Sequence, residues 1–209
     1  KPMVINLIKN DFEVFFYARK KPVINEISKI GGKFVSTLSD IPNHTKICIT
    51  NLPNTKDVEN VVIGKRGLIN NLRVGSVVID MSTISPQGTI KINNKLKTKK
   101  SFLIDAPVSG GEAGAKSGEL SIMAGGDEKA YRKVKFILAV LGNKITYIGR
   151  SGSGQICKAC NQILVAQTIQ SISEIISIAK KSKINPSIIR EALLAGYANS
   201  KILEIHGNR

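Results

Sequence analysis

The sequence predicts an α/β fold, in which a doubly wound parallel sheet is covered by helices on both faces and is followed by the start of an all-α domain. Apolar segments of strand length alternate with helical patterns as far as residue 149, as in successive βαβ units. Beyond the glycine- and serine-rich residues 151–154, a long helical pattern without strand character covers 155–183. The 209 residues, 42% of them hydrophobic, suffice for one large domain or somewhat more. We therefore expect a first domain at 1–149 and the beginning of a helical domain at 150–209.

The elements of the first domain follow from their apolar spacing. Met3, Val4, Leu7 and Ile8 recur at helical intervals, and Pro2 suits a first helical turn. Short apolar runs bounded by polar or glycine-containing turns predict strands at 13–17, 46–50, 77–80 and 102–105. The helices predicted between them cover 22–30, 57–63 and 86–95, and a further helix is predicted from about 186 to 195.

Candidate chemistry lies in the turns that end these strands. Ligands of open parallel sheets bind beyond the carboxyl ends of the strands. The turns in question follow Tyr17, Thr50, Asp80 and Asp105. We expect functional side chains there.

The turn after Asp105 is rich in glycine and contains Ser109, Gly110 and Gly111 in succession. A Ser-Gly-Gly segment leaves backbone N–H groups free of side-chain cover, which suits a bound carboxylate or phosphate. The alternative is a plain glycine-rich connection between two strands, and glycine content alone favours that alternative.

A second candidate group lies on the long helix, where Lys158, Asn161 and Gln162 share a face because they are three and four residues apart. A lysine half-buried beside the sheet crevice can have its pKa lowered enough to exchange a proton near neutrality. Amide side chains beside it can orient a substrate hydroxyl. Taken alone, however, this pattern favours a solvated lysine with polar neighbours.

The whole set of motifs resembles the β-hydroxyacid dehydrogenase family, over essentially the full chain. The segment that runs from Asp105 to Gly111 is close to a signature that binds the substrate carboxylate in that family, which implies this role for Ser109, Gly110 and Gly111. The pattern Gly-x-Gly-x-x-x-Lys-x-x-Asn implies that Lys158 is the catalytic lysine. The resemblance also implies a Rossmann-like first domain, and it implies that Asn161 and Gln162 position the substrate.

The resemblance extends to the cofactor side. Leu52 and Pro53 lie in a turn similar to the family's turn under the nicotinamide ribose, and Thr83 lies in one similar to its turn beside the nicotinamide. Arg19 follows the predicted strand 13–17, at a place where NAD enzymes usually carry Asp or Glu, and an Arg there accommodates the 2′-phosphate of NADP. The expected cofactor is therefore NADP or NAD, with Arg19 favouring NADP. A basic loop in a basic protein is the alternative for Arg19.

One departure from the family concerns the two ends of the sequence. In the family, the first strand and a G-x-G-x-x-G turn come just before the position of Lys1, and further helices follow that of Arg209. The 209 residues contain neither, so we expect the chain to be a fragment. Because that turn supplies the helix N-terminus for the pyrophosphate, we expect this piece to bind dinucleotide poorly and to be inactive by itself.

The charge admits another class of function. With 31 Lys and Arg against 15 Asp and Glu, the net charge is +16, which is compatible with a non-catalytic module that binds nucleotides or nucleic acid. Aromatic residues make up only 5% of the chain and do not interleave with the basic runs, so nucleic acid is not the expected partner. No apolar run reaches the length of a membrane span. Three cysteines are too few for a disulfide framework, and Cys157 and Cys160 are expected to be small packing residues rather than a redox pair or half of a zinc site. We expect a cytoplasmic protein.

The expected function is therefore that of an NAD(P)-dependent oxidoreductase that interconverts a small hydroxy acid and its semialdehyde, with Lys158 as general acid and base. The substrate is a small molecule that bears a carboxylate. The branch of the family that reduces tartronate semialdehyde is resembled by three segments: Lys1-Pro2-Met3, Asn161-Gln162 and residues 196–200. Other small semialdehydes and glyoxylate remain alternatives. The resemblance also implies a homo-oligomer that associates through the helical domain.

Overall fold

The computed structural model describes residues 1–207, and the last two positions of the predicted helical segment, 208 and 209, lie outside the described residues. The chain divides into two compact units, Lys1–Lys158 and Ala159–Arg209. The strands are β1 (Phe15–Phe16), β2 (Lys33–Phe34), β3 (Ile47–Thr50), β4 (Val77–Asp80), β5 (Phe102–Asp105), β6 (Val108–Ser109), β7 (Ser121–Gly126) and β8 (Lys144–Gly149). The α-helices are α1 (Pro2–Lys9), α2 (Lys21–Lys29), α3 (Ile41–His44), α4 (Thr55–Ile63), α5 (Pro86–Lys97), α6 (Gly111–Ser117), α7 (Glu128–Leu141), α8 (Ser153–Lys181), α9 (Pro186–Leu194) and α10 (Lys201–His206).

The predicted α/β fold with a parallel-dominated sheet is confirmed. Strands β3, β4 and β5 pair in parallel, with α4 and α5 as the helical connections between them. Their register aligns Thr50 with Asp80 and Asp80 with Asp105. The carboxyl ends of three strands therefore place one hydroxyl and two carboxyl groups in a single row.

The sheet is buried on both faces, as its continuous apolar strands require. Val78 and Leu103 point into a cluster formed with α4 and α5, and Ile79 and Ile104 point into a cluster formed with α1 and α7. All four side chains are fully buried. Because alternate residues of a strand face opposite sides, the two clusters are the cores above and below the sheet. The helices of the first unit thus cover both faces.

The sequence did not indicate the second half of the sheet. Strand β7 pairs antiparallel with β5 and β6 along one side, and parallel with β8 along the other. The chain reverses through α6 between β6 and β7, and Asp127 then caps α7 by accepting a hydrogen bond from the backbone N–H of Ala130 at 2.8 Å. Strand 13–17 is also shorter than predicted, because only Phe15 and Phe16 pair with β2, in a separate two-stranded sheet.

The second unit contains most of α8, together with α9 and α10. Ile172, Ala179 and Leu203 form its buried apolar contacts, and Arg190 donates hydrogen bonds to the carbonyl oxygens of Leu203 and Glu204. Helix α8 begins two residues before the predicted start and ends two residues before the predicted end. Within residues 1–207, no helix has the length and apolarity that crossing a membrane requires.

Candidate active site

The centre of the candidate site is the buried carboxyl group of Asp80, at the end of β4. Its Oδ1 accepts hydrogen bonds from the hydroxyls of Thr50 (2.9 Å) and Ser82 (2.6 Å) and from the backbone N–H of Ser82 (3.2 Å). Its Oδ2 is buried without a hydrogen-bond partner among the described residues. Burial raises the pKa of Asp80 above its usual range, and the hydrogen bonds from Ser82 and Thr50 oppose this rise.

Ser82 joins the two turns that the sequence assigned to the cofactor. Its hydroxyl donates to Asp80 and accepts from the backbone N–H of Leu52 at 2.8 Å. The turn after β3 is therefore tied to the turn after β4. Leu52 is half-buried, whereas Pro53 and Thr83 are exposed. The structure thus brings the turns of Leu52, Pro53 and Thr83 together at one edge of the sheet, whereas Arg19 follows β1 of the separate two-stranded sheet.

Asp105, at the end of β5, holds the start of α8. Its Oδ1 accepts from the backbone N–H of Gly152 at 2.9 Å, and its Oδ2 accepts from that of Gln155 at 3.1 Å. The first N–H groups of a helix have no partner within the helix, so the carboxylate acts as a cap supplied from a distant strand. Burial raises the pKa of Asp105 from 3.8 to about 6, against the lowering effect of these N–H groups.

Two glycines allow this cap to form. A Cβ on Gly154 would lie 2.4 Å from the carbonyl oxygen of Met123 and 2.9 Å from Asp105 Oδ2. A Cβ on Gly152 would meet atoms of α5. The φ of Gly152 is +89°, a backbone conformation that residues with a side chain rarely adopt. The glycine spacing that the sequence analysis noted therefore has a structural cause, because the first turn of α8 lies directly against the sheet.

Gln155 is a buried polar residue at the candidate site that the sequence did not single out. Its side chain is 2% exposed; Nε2 donates to the carbonyl oxygen of Ser82 at 2.8 Å, and Oε1 accepts from the backbone N–H of Ile84 at 3.1 Å. The one available signal was a polar residue among glycines, three residues before Lys158. Its partners lie more than 70 positions away, where no local pattern shows them.

Lys158 follows Gln155 by nearly one helical turn and is 8% exposed. Burial lowers the pKa of its ammonium group. Within residues 1–207, the Lys158 side chain takes part in no ion pair and no hydrogen bond. Neither a salt bridge nor full solvation stabilises the charged form of this lysine, which is consistent with its lowered pKa.

The remaining predicted substrate residues lie on two other segments. Ser109 ends β6 and is half-buried, and the exposed Gly110 and Gly111 have φ of +130° and +62°. Asn161 and Gln162 fall in the second unit, half-buried and exposed respectively, and Asn161 Nδ2 donates to Gln162 Oε1 at 3.0 Å. Among residues 1–207, no hydrogen bond joins Ser109, Gly110 or Gly111 to Lys158.

Two of the residues predicted to contact the cofactor carry exposed polar groups. Thr83 is exposed and carries a hydroxyl, in the turn that Ser82 ties to Leu52. Arg19 is exposed beyond β1 and makes no ion pair within the described part of the chain, which suits a phosphate. The sequence contains no G-x-G-x-x-G turn for the pyrophosphate.

The three cysteines differ in exposure. Cys48 is buried, and burial raises the pKa of its thiol to about 12. Cys157 is half-buried and Cys160 is exposed, so the predicted packing role suits only the former. Among residues 1–207, no group of three or more metal-ligating side chains is present.

A parallel sheet with polar turns at its carboxyl edge is the architecture of dinucleotide-binding domains. Residues 1–149 match the family described as the NAD binding domain of 6-phosphogluconate dehydrogenase, and residues 152–209 match the NAD-binding domain of NADP-dependent 3-hydroxyisobutyrate dehydrogenase. The 2-hydroxy-3-oxopropionate reductase of Escherichia coli (strain K12) is 39% identical over 208 residues, which are 100% of this chain and 71% of that protein.

Solved structures agree in fold. Mycobacterium tuberculosis 3-hydroxyisobutyrate dehydrogenase, determined with L-serine, has a TM-score of 0.87 and 25% identity over 96% of this chain and 68% of that one. Psf3 in complex with NADP+ and 2-OPP has a TM-score of 0.90 at 21% identity, over 99% of this chain and 73% of that one. The chain belongs to the β-hydroxyacid dehydrogenase family, whose members use NAD or NADP to act on the CH–OH group of hydroxy acids.

Proposed function

We propose that the protein containing this chain reduces a small semialdehyde that bears a carboxylate, with 2-hydroxy-3-oxopropionate as the leading substrate, and that Lys158 is its general acid. The observation that carries the proposal is the state of Lys158, which is nearly buried, has no acidic partner within residues 1–207 and has a lowered pKa. The 39% identity to the Escherichia coli reductase supports the choice of substrate.

The proposed chemistry needs one proton from the protein. When bound, the reduced nicotinamide supplies a hydride to the carbonyl carbon. Lys158 donates a proton to the carbonyl oxygen as that oxygen gains negative charge, which leaves a neutral amine and an alcohol product. Solvent then returns a proton to the amine. In the oxidative direction, the neutral amine accepts the hydroxyl proton.

Other residues bind and orient. We assign the substrate carboxylate to the Ser109 hydroxyl and the backbone N–H groups of Gly110 and Gly111, because both glycines have positive φ and carry no side chain over the backbone. Asn161 and Gln162 follow Lys158 on the same helix and orient the reacting oxygen.

For the cofactor, we assign Leu52 and Pro53 to the ribose, Thr83 to the nicotinamide and Arg19 to a 2′-phosphate. The exposed hydroxyl of Thr83 and the exposed guanidinium of Arg19 support these roles. The boundary between a cofactor domain at 1–149 and a helical domain from 150 is part of the same proposal.

Replacement of Lys158 by Met tests the central role, since Met keeps the length and apolar stem of lysine but has no proton to donate. We expect turnover to fall by roughly 10²- to 10⁴-fold, with the Kd of the dinucleotide changed less than threefold. Lys180→Met, at an exposed position on the same helix, is the matched control and should keep full turnover. Lys158→Met with normal turnover would falsify the assignment.

A second substrate, 3-hydroxyisobutyrate, is favoured by the match of residues 152–209 to the 3-hydroxyisobutyrate dehydrogenase domain. A panel of hydroxy acids and semialdehydes, assayed with NADPH or NADH, or with NADP+ or NAD+, separates the candidates by kcat/KM. The leading assignment predicts the highest value for 2-hydroxy-3-oxopropionate, and a higher value for 3-hydroxyisobutyrate would replace it.

A further inference from the structure

Gln155 is bonded to two separate segments of the sheet edge. Its backbone N–H donates to Asp105 at the end of β5. Its side-chain amide bonds to the carbonyl oxygen of Ser82 and to the N–H of Ile84, in the turn after β4. One residue of α8 therefore connects the ends of two neighbouring strands.

The two side-chain bonds of Gln155 flank one residue, Thr83. Ser82 and Ile84 are buried, whereas Thr83 between them is exposed. The amide of Gln155 thus fixes the backbone before and after Thr83 and leaves the Thr83 side chain outside. A short turn that has lost both bonds would gain freedom at this one exposed position.

The two bonds call for a residue that can donate and accept at the same time. The carbonyl oxygen of Ser82 needs a donor and the N–H of Ile84 needs an acceptor, at 2.8 and 3.1 Å from the two ends of one amide. A glutamine amide offers both. Met would fill similar volume but would leave a buried N–H and a buried carbonyl without partners, which is costly.

The same helix carries Lys158 three residues further on, about 4.5 Å along the helix axis. We propose that Gln155 is a positioning residue, which holds the turn of Thr83 at a fixed distance from Lys158. This proposal rests on the proposed function of Lys158. The substrate segment at Ser109 is held instead by the pairing of β6 with β7, so Gln155 should affect the cofactor side selectively.

Hydrogen exchange of the wild-type protein without ligand gives the first test. The N–H of Ile84 lies in a turn, outside any ladder or helix, and its acceptor is the Gln155 side chain. We expect it to exchange at least tenfold more slowly than the N–H of the exposed Thr83. Equal exchange at the two positions would overturn the proposal without the need for any variant.

Gln155→Met then separates positioning from packing. We expect exchange at Ile84 to become about tenfold faster, in line with the loss of one hydrogen bond, the KM of the dinucleotide to rise several-fold and kcat to fall. The KM of the hydroxy acid should change less than twofold. Thr89→Val, which alters a buried hydroxyl that has no partner among the described residues, is the control and should leave all four quantities unchanged.

The outcomes distinguish this proposal from the function on which it rests. The role of Gln155 would be overturned if, in Gln155→Met, the N–H of Ile84 exchanges at the wild-type rate and the KM of the dinucleotide is unchanged. This holds even if Lys158→Met is inactive. An equal rise in the KM of both substrates would also overturn it, since that result indicates general loosening of the site. Turnover by Lys158→Met would instead remove the proposed function, and the exchange data would still report whether Gln155 holds the turn.

Discussion

The pKa of Asp105 makes the stability of the protein depend on pH in a direction that can be measured. In the unfolded chain this carboxyl has a pKa of 3.8, and burial raises it to about 6 in the folded state. Between these values the folded state binds more protons than the unfolded state, so stability falls as the pH rises. A tenfold change in proton affinity corresponds to about 1.4 kcal/mol. Ionisation of Asp105 therefore lowers the free energy of unfolding by about 3 kcal/mol relative to its protonated form.

Asp105→Asn removes this titration and keeps the shape of the side chain. About 2 kcal/mol of the effect falls between pH 4.5 and pH 8, from the two pKa values and the linkage relation. The free energy of unfolding of the variant minus that of the wild type should thus become more positive by about 2 kcal/mol over this range. Contributions from the other titrating groups cancel in the difference.

Urea denaturation, followed by tyrosine fluorescence, measures the two free energies. The stacked rings of Tyr131 and Tyr147 report on the unit that contains Asp105, and the chain has no tryptophan. A ¹³C titration of the Asp105 carboxyl gives its folded-state pKa directly. A difference that stays constant with pH, or a carboxyl that titrates near 4, would refute the argument that burial outweighs the N–H groups of Gly152 and Gln155.

Three further predictions each concern the replacement of one residue. Gly154→Ala should lower the free energy of unfolding by about 2–3 kcal/mol, because the added Cβ would lie 2.4 Å from the carbonyl oxygen of Met123. Gly196→Ala is the control: its Cβ would meet nothing within 4 Å, and the free energy of unfolding should change by less than about 0.5 kcal/mol. Thr89→Val should leave the free energy of unfolding unchanged or raise it by up to about 1 kcal/mol, since the buried Thr89 hydroxyl has no partner among the described residues. A decrease of more than about 1 kcal/mol in urea denaturation would contradict this. Arg19→Ala should reduce the preference of the protein for NADPH over NADH by about tenfold, as expected for one charge-assisted contact. Equal ratios of kcat/KM for the two cofactors in wild type and variant would remove Arg19 from the cofactor site.

The sequence predicted the parallel half of the sheet because strands that are buried on both faces consist of continuous apolar residues. Val77-Val78-Ile79 and Leu103-Ile104 are continuous apolar runs, which parallel strands require. It did not indicate β7, which ends in Gly125-Gly126. A Cβ on Gly125 would lie 2.9 Å from the carboxylate of Asp105, so the strand signal is weak where tertiary contact demands glycine.

For the candidate site, the sequence indicated where polar groups lie but not how they are connected. Turns at the ends of strands were correctly marked as places for polar groups, because that rule depends only on sheet topology. The hydrogen bonds of Gln155 and Asp105 could not be foreseen, since they join residues 47 to 73 positions apart without any periodic pattern. The individual roles of the site residues and association through the helical region stay predictions.

The long-range cap on α8 has a consequence for the order of folding. Asp105 precedes Gly152 by 47 positions, so the helix start has its acceptor only after the chain between them has closed a loop. Closing such a loop costs entropy that local helix formation does not. The middle of α8 can therefore become helical early, whereas its first turn becomes ordered only when β5 and β7 have assembled. Lys158 would therefore be one of the last residues of its unit to become ordered. An incompletely folded chain would contain the helix but not the arrangement of Lys158 and the sheet edge.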